Sequence, residues 1–489
     1  MTKSEYKIAL RDLRVDIIDS QYALRASKTP VQIIITGFDG AGKGEVINLL
    51  SEWLDPRSVE TTAFWESTEE ERSRPYFWRY WRAAPTRGRI RVLFGSYYGD
   101  LIAARTYDDW EANDYRKHVE RIRDYERMLV DDGALIAKFW LHLSESEQAD
   151  RLNDLEANSQ FHWRIEPAHW KDPDHYSRFW TAAKESIAAT DQPGAQWRLI
   201  EAKCPYERNL AVAGELVRQF QEAADSIRTK PTTGAKAPDA ASKKGTKRAR
   251  LRLDDPTPPL EADAYEEALT DAQNRLRELA WEAHQRRIAT VAVFEGWDAA
   301  GKGGCIRRII HALDARLYQV IPIAAPSEEE FARHYLWRFW RRLPMDGQIA
   351  FFDRSWYGRV LVERVEGFAS EEEWSRAFEE INKFEEQLVD HGVVLVKYWL
   401  DISKETQAKR FEKRRVTPHK NYKLSEEDWR NRKKWDQYNV AVDDMLERTS
   451  PPRAPWNVVN AEDKRNARIA ALRIFCDRLE ARLGHSNTP

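Results

Sequence analysis

Short apolar runs alternate with longer amphipathic stretches along most of this chain, and the alternation predicts strands separated by helices. In the C-terminal half, Thr290–Phe294 (TVAVF) is an apolar run that ends at a glycine-rich turn, and helical periodicity follows over Gly304–Leu313. A strand near Tyr318–Ile323, an aromatic helix over Ser327–Arg342 and a strand at Gln348–Phe352 come next. A long helix over Glu371–His391 then leads into a buried strand, Val393–Leu400. Helical crossovers of this length imply parallel strands with helices on both faces of the sheet. The expected class is α/β.

The N-terminal half repeats the pattern. GFDGAGKG at Gly37–Gly44 returns as GWDAAGKG at Gly296–Gly303, an offset of 259 (302 minus 43 for the lysines). The same offset carries Trp78 onto Trp337, Lys138 onto Lys397 and Trp197 onto Trp456 without a gap. A repeat of this length is a duplicated domain and not a solenoid unit. Two tandem domains are therefore expected, at 1–228 and 260–489. The stretch 229–259, rich in Pro, Ala, Lys and Arg, reads as a mobile linker. Its basic run KKGTKRARLR suits a solvated tether better than a grip on a polyanion.

Bulk composition narrows the field. A net charge of −2 over 489 residues gives no global attraction to nucleic acid. The three cysteines lack metal or redox spacing, and the N-terminus is charged with no apolar signal core. No apolar run is long enough to span a bilayer. These features predict a cytoplasmic protein without a membrane partner. The 20 tryptophans, concentrated in the repeated blocks, are read as core packing.

The G-x-x-x-x-G-K pattern between a strand and a helix is a phosphate-binding loop. Its amides and helix N-terminus hold phosphate oxygens, and Lys302 reaches the terminal groups. The usual Ser or Thr after the lysine is replaced by Gly303 and Gly304, so no loop hydroxyl is available for a metal. Asp298 in the loop and Asp353 at the end of IAFFD are the candidates to replace it; the alternative for Asp353 is a helix N-cap. In the first copy Asp353 becomes Phe94, Arg354 becomes Gly95 and Arg359 becomes Asp100, whereas Ser355 and Tyr357 survive as Ser96 and Tyr98. From Lys404 to Lys434 there are 12 Lys/Arg and 5 Asp/Glu; the aligned 145–175 has 3 and 8. Within that window Lys409, Arg410, Lys413, Arg414 and Arg415 occupy about two helical turns, a patch suited to a strongly anionic substrate. Only the second copy looks chemically competent.

Together GWDAAGKGG, EEEFARHYLWRFWRRLP, FFDRSWYGRVLVER, KRFEKRR and TSPPRAPWNVVNAEDKRNAR resemble the second family of polyphosphate kinases, along nearly the whole of both copies. The fused arrangement is similar to the family's AMP-phosphorylating class. The resemblance implies three-layer α/β/α domains with helical lids, and Mg2+ as cofactor with Mn2+ able to substitute. It also implies inorganic polyphosphate as donor, AMP as acceptor and direct in-line transfer giving ADP. Carried onto this chain, Asp298 and Asp353 are metal ligands; with them Lys302, Arg354 and Arg359 are catalytic. Ala299, Ala300, Gly301, Gly303 and Gly304 of the loop, and Lys409, Arg410, Arg414 and Arg415 of the lid, bind substrate. Gly358 departs from the family's frequent Asn. The first copy is expected to be a packing partner in an intramolecular pseudo-dimer, with further self-association left open. Alternatives are a preference for ADP or GDP as acceptor, an ATP-dependent nucleoside monophosphate kinase, and a non-catalytic polyphosphate- or nucleic-acid-binding protein. The dense basic lid argues against the ATP-dependent kinase, and the intact ionic set around Asp353 against a binding protein.

Overall fold

The computed structural model describes residues 1–157, 175–229, 258–416 and 426–484. Most of the expected linker, and 417–425 of the basic window, lie outside the described residues. Two compact units form. One comprises Met1–Ser67, Tyr80–Thr233 and Glu328–His334; the other comprises Thr68–Arg79, Gly234–Ser327 and Tyr335–Pro489.

The first unit contains strands β1 (Val31–Gly37), β2 (Val59–Ala63), β3 (Ile90–Phe94), β4 (Leu135–His142) and β5 (Trp197–Glu201). The second contains β6 (Thr290–Gly296), β7 (Tyr318–Pro322), β8 (Ile349–Asp353), β9 (Val394–Asp401) and β10 (Trp456–Asn460). Each unit holds one five-stranded sheet, ordered β2-β3-β1-β4-β5 and β7-β8-β6-β9-β10, with every pairing parallel. The α/β expectation holds in both units. Central strands β6 and β9 are buried along nearly their whole length, which is why they read as continuous apolar runs.

The helix over Glu371–Asp390 starts at a capping box formed by Ser370 and Glu373. It buries Ala377, Phe378, Ile381, Phe384 and Leu388, one stripe at helical spacing. The aromatic stretch expected as one helix over Ser327–Arg342 is instead two single turns, Glu328–Phe331 and Trp337–Trp340. Glu328–His334 packs in the first unit and Tyr335 onward in the second, so one straight helix cannot serve both cores. Trp81, Trp140, Trp340 and Trp356 are fully buried, as the packing role requires, although Trp65 is 81% exposed. Among the described residues no helix is long and apolar enough to cross a membrane.

In the second unit β6 lies between β8 and β9, yet the chain leaves its C-terminal end for edge strand β7. The sequence order therefore reverses beside β6, the position where open α/β sheets form a ligand crevice.

Candidate active site

The loop after β6 leads into a helix over Lys302–Ile310. Ala299 (φ 66°) and Gly301 (φ 123°) both have left-handed backbone, which turns the chain sharply out of the strand. The backbone N–H groups of Gly301, Lys302 and Gly303 meet no acceptor among the described residues, so the helix start keeps its donors available for an anion. Lys302 Nζ folds back to donate to the carbonyls of Gly296 at 2.7 Å and Trp297 at 3.4 Å.

Asp298 accepts from Arg354 at 3.2 Å and from Asn431 Nδ2 at 3.1 Å. Asp353, at the tip of β8, has no side-chain partner among the described residues. It is not a helix cap: Ser355 takes that role, accepting from the backbone of Tyr357. A methyl group on Gly303 would lie 3.9 Å from Asp353 Oδ2, which places this carboxylate beside the first turn of the loop helix. Hard oxygen donors on two sides of a phosphate loop fit a Mg2+-like ion, which typically takes one or two carboxylates plus substrate and water oxygens. No group of three or more acidic, His or Cys side chains converges on a metal-sized site among the described residues.

The first copy turns the same parts inward. Lys43 forms an ion pair with its own loop aspartate, Asp39, at 2.9 Å. Gly95 stands where Arg354 would compete for that carboxylate, so the lysine takes it instead. Phe94 occupies the place of Asp353, its ring edge 3.8 Å from where a Gly44 methyl would sit. Glu45 pairs with Arg151 at 3.2 Å and Arg208 at 2.9 Å beside the same helix start.

A cavity of about 70 Å³ adjoins the second loop, and its lining includes Lys302, Asp298 and Arg354 together with Leu361, Trp435 and Tyr438. Trp297 stacks on Trp435 at 3.8 Å, while its indole N–H donates to Asp401 at 2.7 Å. In the first copy the rings of Tyr176, Phe179 and Trp180 converge on Phe38 at 4.7, 5.4 and 5.8 Å. Aromatic bulk there takes positions that Trp435, Tyr438 and Asn439 hold in the second copy.

Other candidates separate into different roles. Arg359 pairs with Glu363 at 3.2 Å and lies 4.5 Å from the centre of the Tyr335 ring; it does not line the cavity. Glu363 aligns with Ala104, so both members of this pair are replaced in the first copy. Arg410 is buried and donates to four carbonyls: Ala299 at 3.0 Å, Ala300 at 2.8 Å, Ala461 at 2.6 Å and Glu462 at 3.1 Å. It clamps the loop from behind. Lys409 is exposed, and Arg415 pairs with Glu412 at 2.7 Å on the outer surface. Arg414 is half-buried and faces a cluster that the sequence reasoning missed. Lys464 is pushed down to about 8 by burial and then by Arg410, Arg468, Lys413 and Arg414. Arg468 also approaches the loop helix, 3.8 Å from where a Gly304 methyl would sit. The offset gives Pro205 and Asn209 for Lys464 and Arg468, so the same internal comparison could have found them.

Glu295, the last side chain before the loop, was missed as well. It is buried, lines the cavity and accepts from Ser355 Oγ at 2.8 Å. Burial raises its carboxyl pKa, against the opposing effect of Lys302. Lys397 is fully buried and bound to Glu385 at 2.6 Å and Tyr357 at 3.0 Å; Lys138, Glu126 and Tyr98 repeat this at 2.8 and 2.9 Å. A network kept in both copies supports the fold and not the chemistry. Burial pushes the Cys305 thiol up to about 12, which removes it as a thiolate nucleophile.

The model of the family described as polyphosphate kinase 2 matches residues 1–228 and 259–486. The chain is 45% identical to a Pseudomonas aeruginosa protein named polyphosphate:AMP phosphotransferase, with 98% of this chain and 96% of that one covered. An Acinetobacter johnsonii protein of the same name is 37% identical, with 96% of each chain covered. A crystal structure from Pseudomonas aeruginosa described as a polyphosphate kinase 2 superposes with a TM-score of 0.85 at 42% identity, covering 99% of this chain and 97% of that one.

Proposed function

Because the chain belongs to the polyphosphate kinase 2 family, we propose that it transfers the terminal phosphoryl group of inorganic polyphosphate to AMP, giving ADP. The full-length relatives named polyphosphate:AMP phosphotransferase support AMP as the acceptor. The observation that carries the reading is the contrast between the two loops. Asp298 is held by Arg354, which leaves Lys302 without a carboxylate partner, whereas Lys43 is bound to Asp39. Only the second loop has a cation ready to move onto a phosphate.

Chemistry is assigned to the second unit. An α-phosphate oxygen of AMP attacks the terminal phosphorus in line, the bridging P–O bond breaks, and the shortened polyphosphate leaves with the bond's electron pair. The amides of Gly301, Lys302 and Gly303 bind the transferring group, and Lys302 and Arg354 compensate charge on its oxygens. The acceptor nucleotide binds at the cavity mouth beside the Trp297–Trp435 stack, whose aromatic faces suit a base. Family membership implies a divalent metal. Asp298 and Asp353 would hold it, and Mg2+ would supply charge neutralisation between donor and acceptor phosphates. Neither a phospho-histidine nor a phospho-cysteine step is assigned. The first unit serves as a packing partner, and the protein works in the cytosol.

The test is turnover of purified protein with polyphosphate and divalent metal, offering AMP, ADP, GMP and GDP in turn, with products separated chromatographically. ADP formed from AMP is the expected result. Turnover with ATP but not polyphosphate as donor would overturn the reading.

A further inference from the structure

We propose that Glu295 is a positioning residue for this phosphoryl transfer: it clasps the Arg354–Ser355 turn so that the Arg354 guanidinium holds Asp298 and Lys302 stays available. The inference rests on the function proposed above and adds a residue to it.

Arg354 has φ 65°, a left-handed conformation that a side chain with Cβ adopts only when its surroundings impose it. Two bonds impose it here. The N–H of Arg354 donates to the Phe294 carbonyl at 3.1 Å, and the Ser355 hydroxyl donates to Glu295 Oε1 at 2.8 Å. Both acceptors belong to adjacent residues at the end of β6, so the tip of β8 is pinned to the strand that launches the phosphate loop. Ser355 and Glu295 are each nearly inaccessible to water, which strengthens the bond between them.

The first copy shows what accompanies the loss of the clasp. Glu295 becomes Thr36 and Arg354 becomes Gly95, while the serine persists as Ser96. Gly95 has φ 73°, so the turn keeps its shape, but with a residue that meets no steric penalty there. Where the strained arginine is present the buried carboxylate is present, and the two disappear together. In the first copy Asp39 is bound by Lys43. Glu295 therefore acts through Arg354 on the pairing of Asp298 and, one step further, on the freedom of Lys302.

A double-mutant cycle with hydrogen exchange tests this. Glu295→Thr, the residue of the first copy, is expected to lower kcat about tenfold or more while changing both KM values less than threefold, since a displaced transition-state contact is lost and not a binding surface. Glu295→Gln keeps an oxygen that can accept from the Ser355 hydroxyl and should recover most of that loss. In an Arg354→Gly background, Glu295→Thr should have no further effect on kcat. Amide exchange of the peptide spanning residues 353–358, measured without substrates, should quicken in Glu295→Thr and not in Glu295→Gln. Equal loss in the wild-type and Arg354→Gly backgrounds would overturn the proposal, as would unchanged exchange in Glu295→Thr. A Gln variant as impaired as the Thr variant would mean that the charge itself is used, and would overturn the clasp. The exchange result does not depend on which nucleotide or donor is used, so failure of the assigned reaction and failure of the clasp are separately visible.

Discussion

Replacing Arg410 with methionine should destabilise the second unit before it affects substrate binding. The guanidinium donates to four carbonyls at 2.6–3.1 Å, two in the phosphate loop and two after β10. A hydrogen bond from a charged donor is worth about 1.5–3 kcal/mol, and leaving buried carbonyls unpaired adds to the loss. Burial of the guanidinium, which lowers its pKa, offsets part of this. A net loss of about 3–5 kcal/mol follows once these opposing effects are combined. For a unit of this size, about 2–4 °C per kcal/mol converts the loss into a fall in Tm of roughly 10 °C. Calorimetry without substrates reads it directly, with the surviving protein assayed below its new transition. An Arg410→Met protein that melts within about 2 °C of the parent, yet has a tenfold higher KM for polyphosphate, would refute the reasoning and make Arg410 a substrate contact.

Lys302→Ala or Asp353→Asn should lower kcat by about a thousandfold or more, whereas Lys43→Ala should stay within about twofold; matched losses in a coupled ADP assay would place chemistry in both copies. Arg414→Ala should raise the KM for polyphosphate several-fold and reduce its salt slope by about 0.7–0.9, with little change for AMP; an unchanged slope in an ionic-strength series would return Arg414 to the solvated surface. Lys464 should lose its charge as pH rises through about 8, so polyphosphate affinity should weaken between pH 7 and 9, and Lys464→Met should flatten that profile. The lysine's folded pKa is lowered, so the unfolded chain holds more protons from about pH 8 to 10.5 and this group's contribution to stability rises with pH across that window. Parent and variant melting curves at pH 7 and 9.5 check the sign.

Most of the strands around the site were legible because central strands of a parallel sheet are apolar on both faces, and because one offset aligned two copies of each; their order in the sheet was not. The places of Asp298 and Lys302 in the loop after β6, and of Asp353 at the tip of β8, were legible for the same reason. What the sequence could not express was pairing. The switch of a loop aspartate from lysine to arginine depends on one residue, Gly95 or Arg354, and on a backbone angle. Helical periodicity grouped Arg410 with Lys409 and Arg414, but only packing distinguishes the face turned to the loop carbonyls. The pairing of Arg359 with Glu363, four residues on, is a contact that only the fold displays. Glu295 was hidden by an apolar run that disguised it as a strand end, although its alignment with Thr36 was available.

The membership of Thr68–Arg79 in the second unit bears on how such a chain can be shortened. Within that unit Arg74 Nε donates to the Leu343 carbonyl at 3.0 Å, and Asp346 N–H donates to the Ser73 carbonyl at 3.1 Å. A gene split between the copies therefore does not separate the compact units, since the downstream product would lack twelve residues that its own fold uses. The positions where the first copy replaces Asp353, Arg354 and Arg359 lie outside Thr68–Arg79, whereas deletion of the first copy would remove that segment from the second unit. A first copy that carries a segment of the second unit is retained by the fold of that unit, whatever its own chemistry.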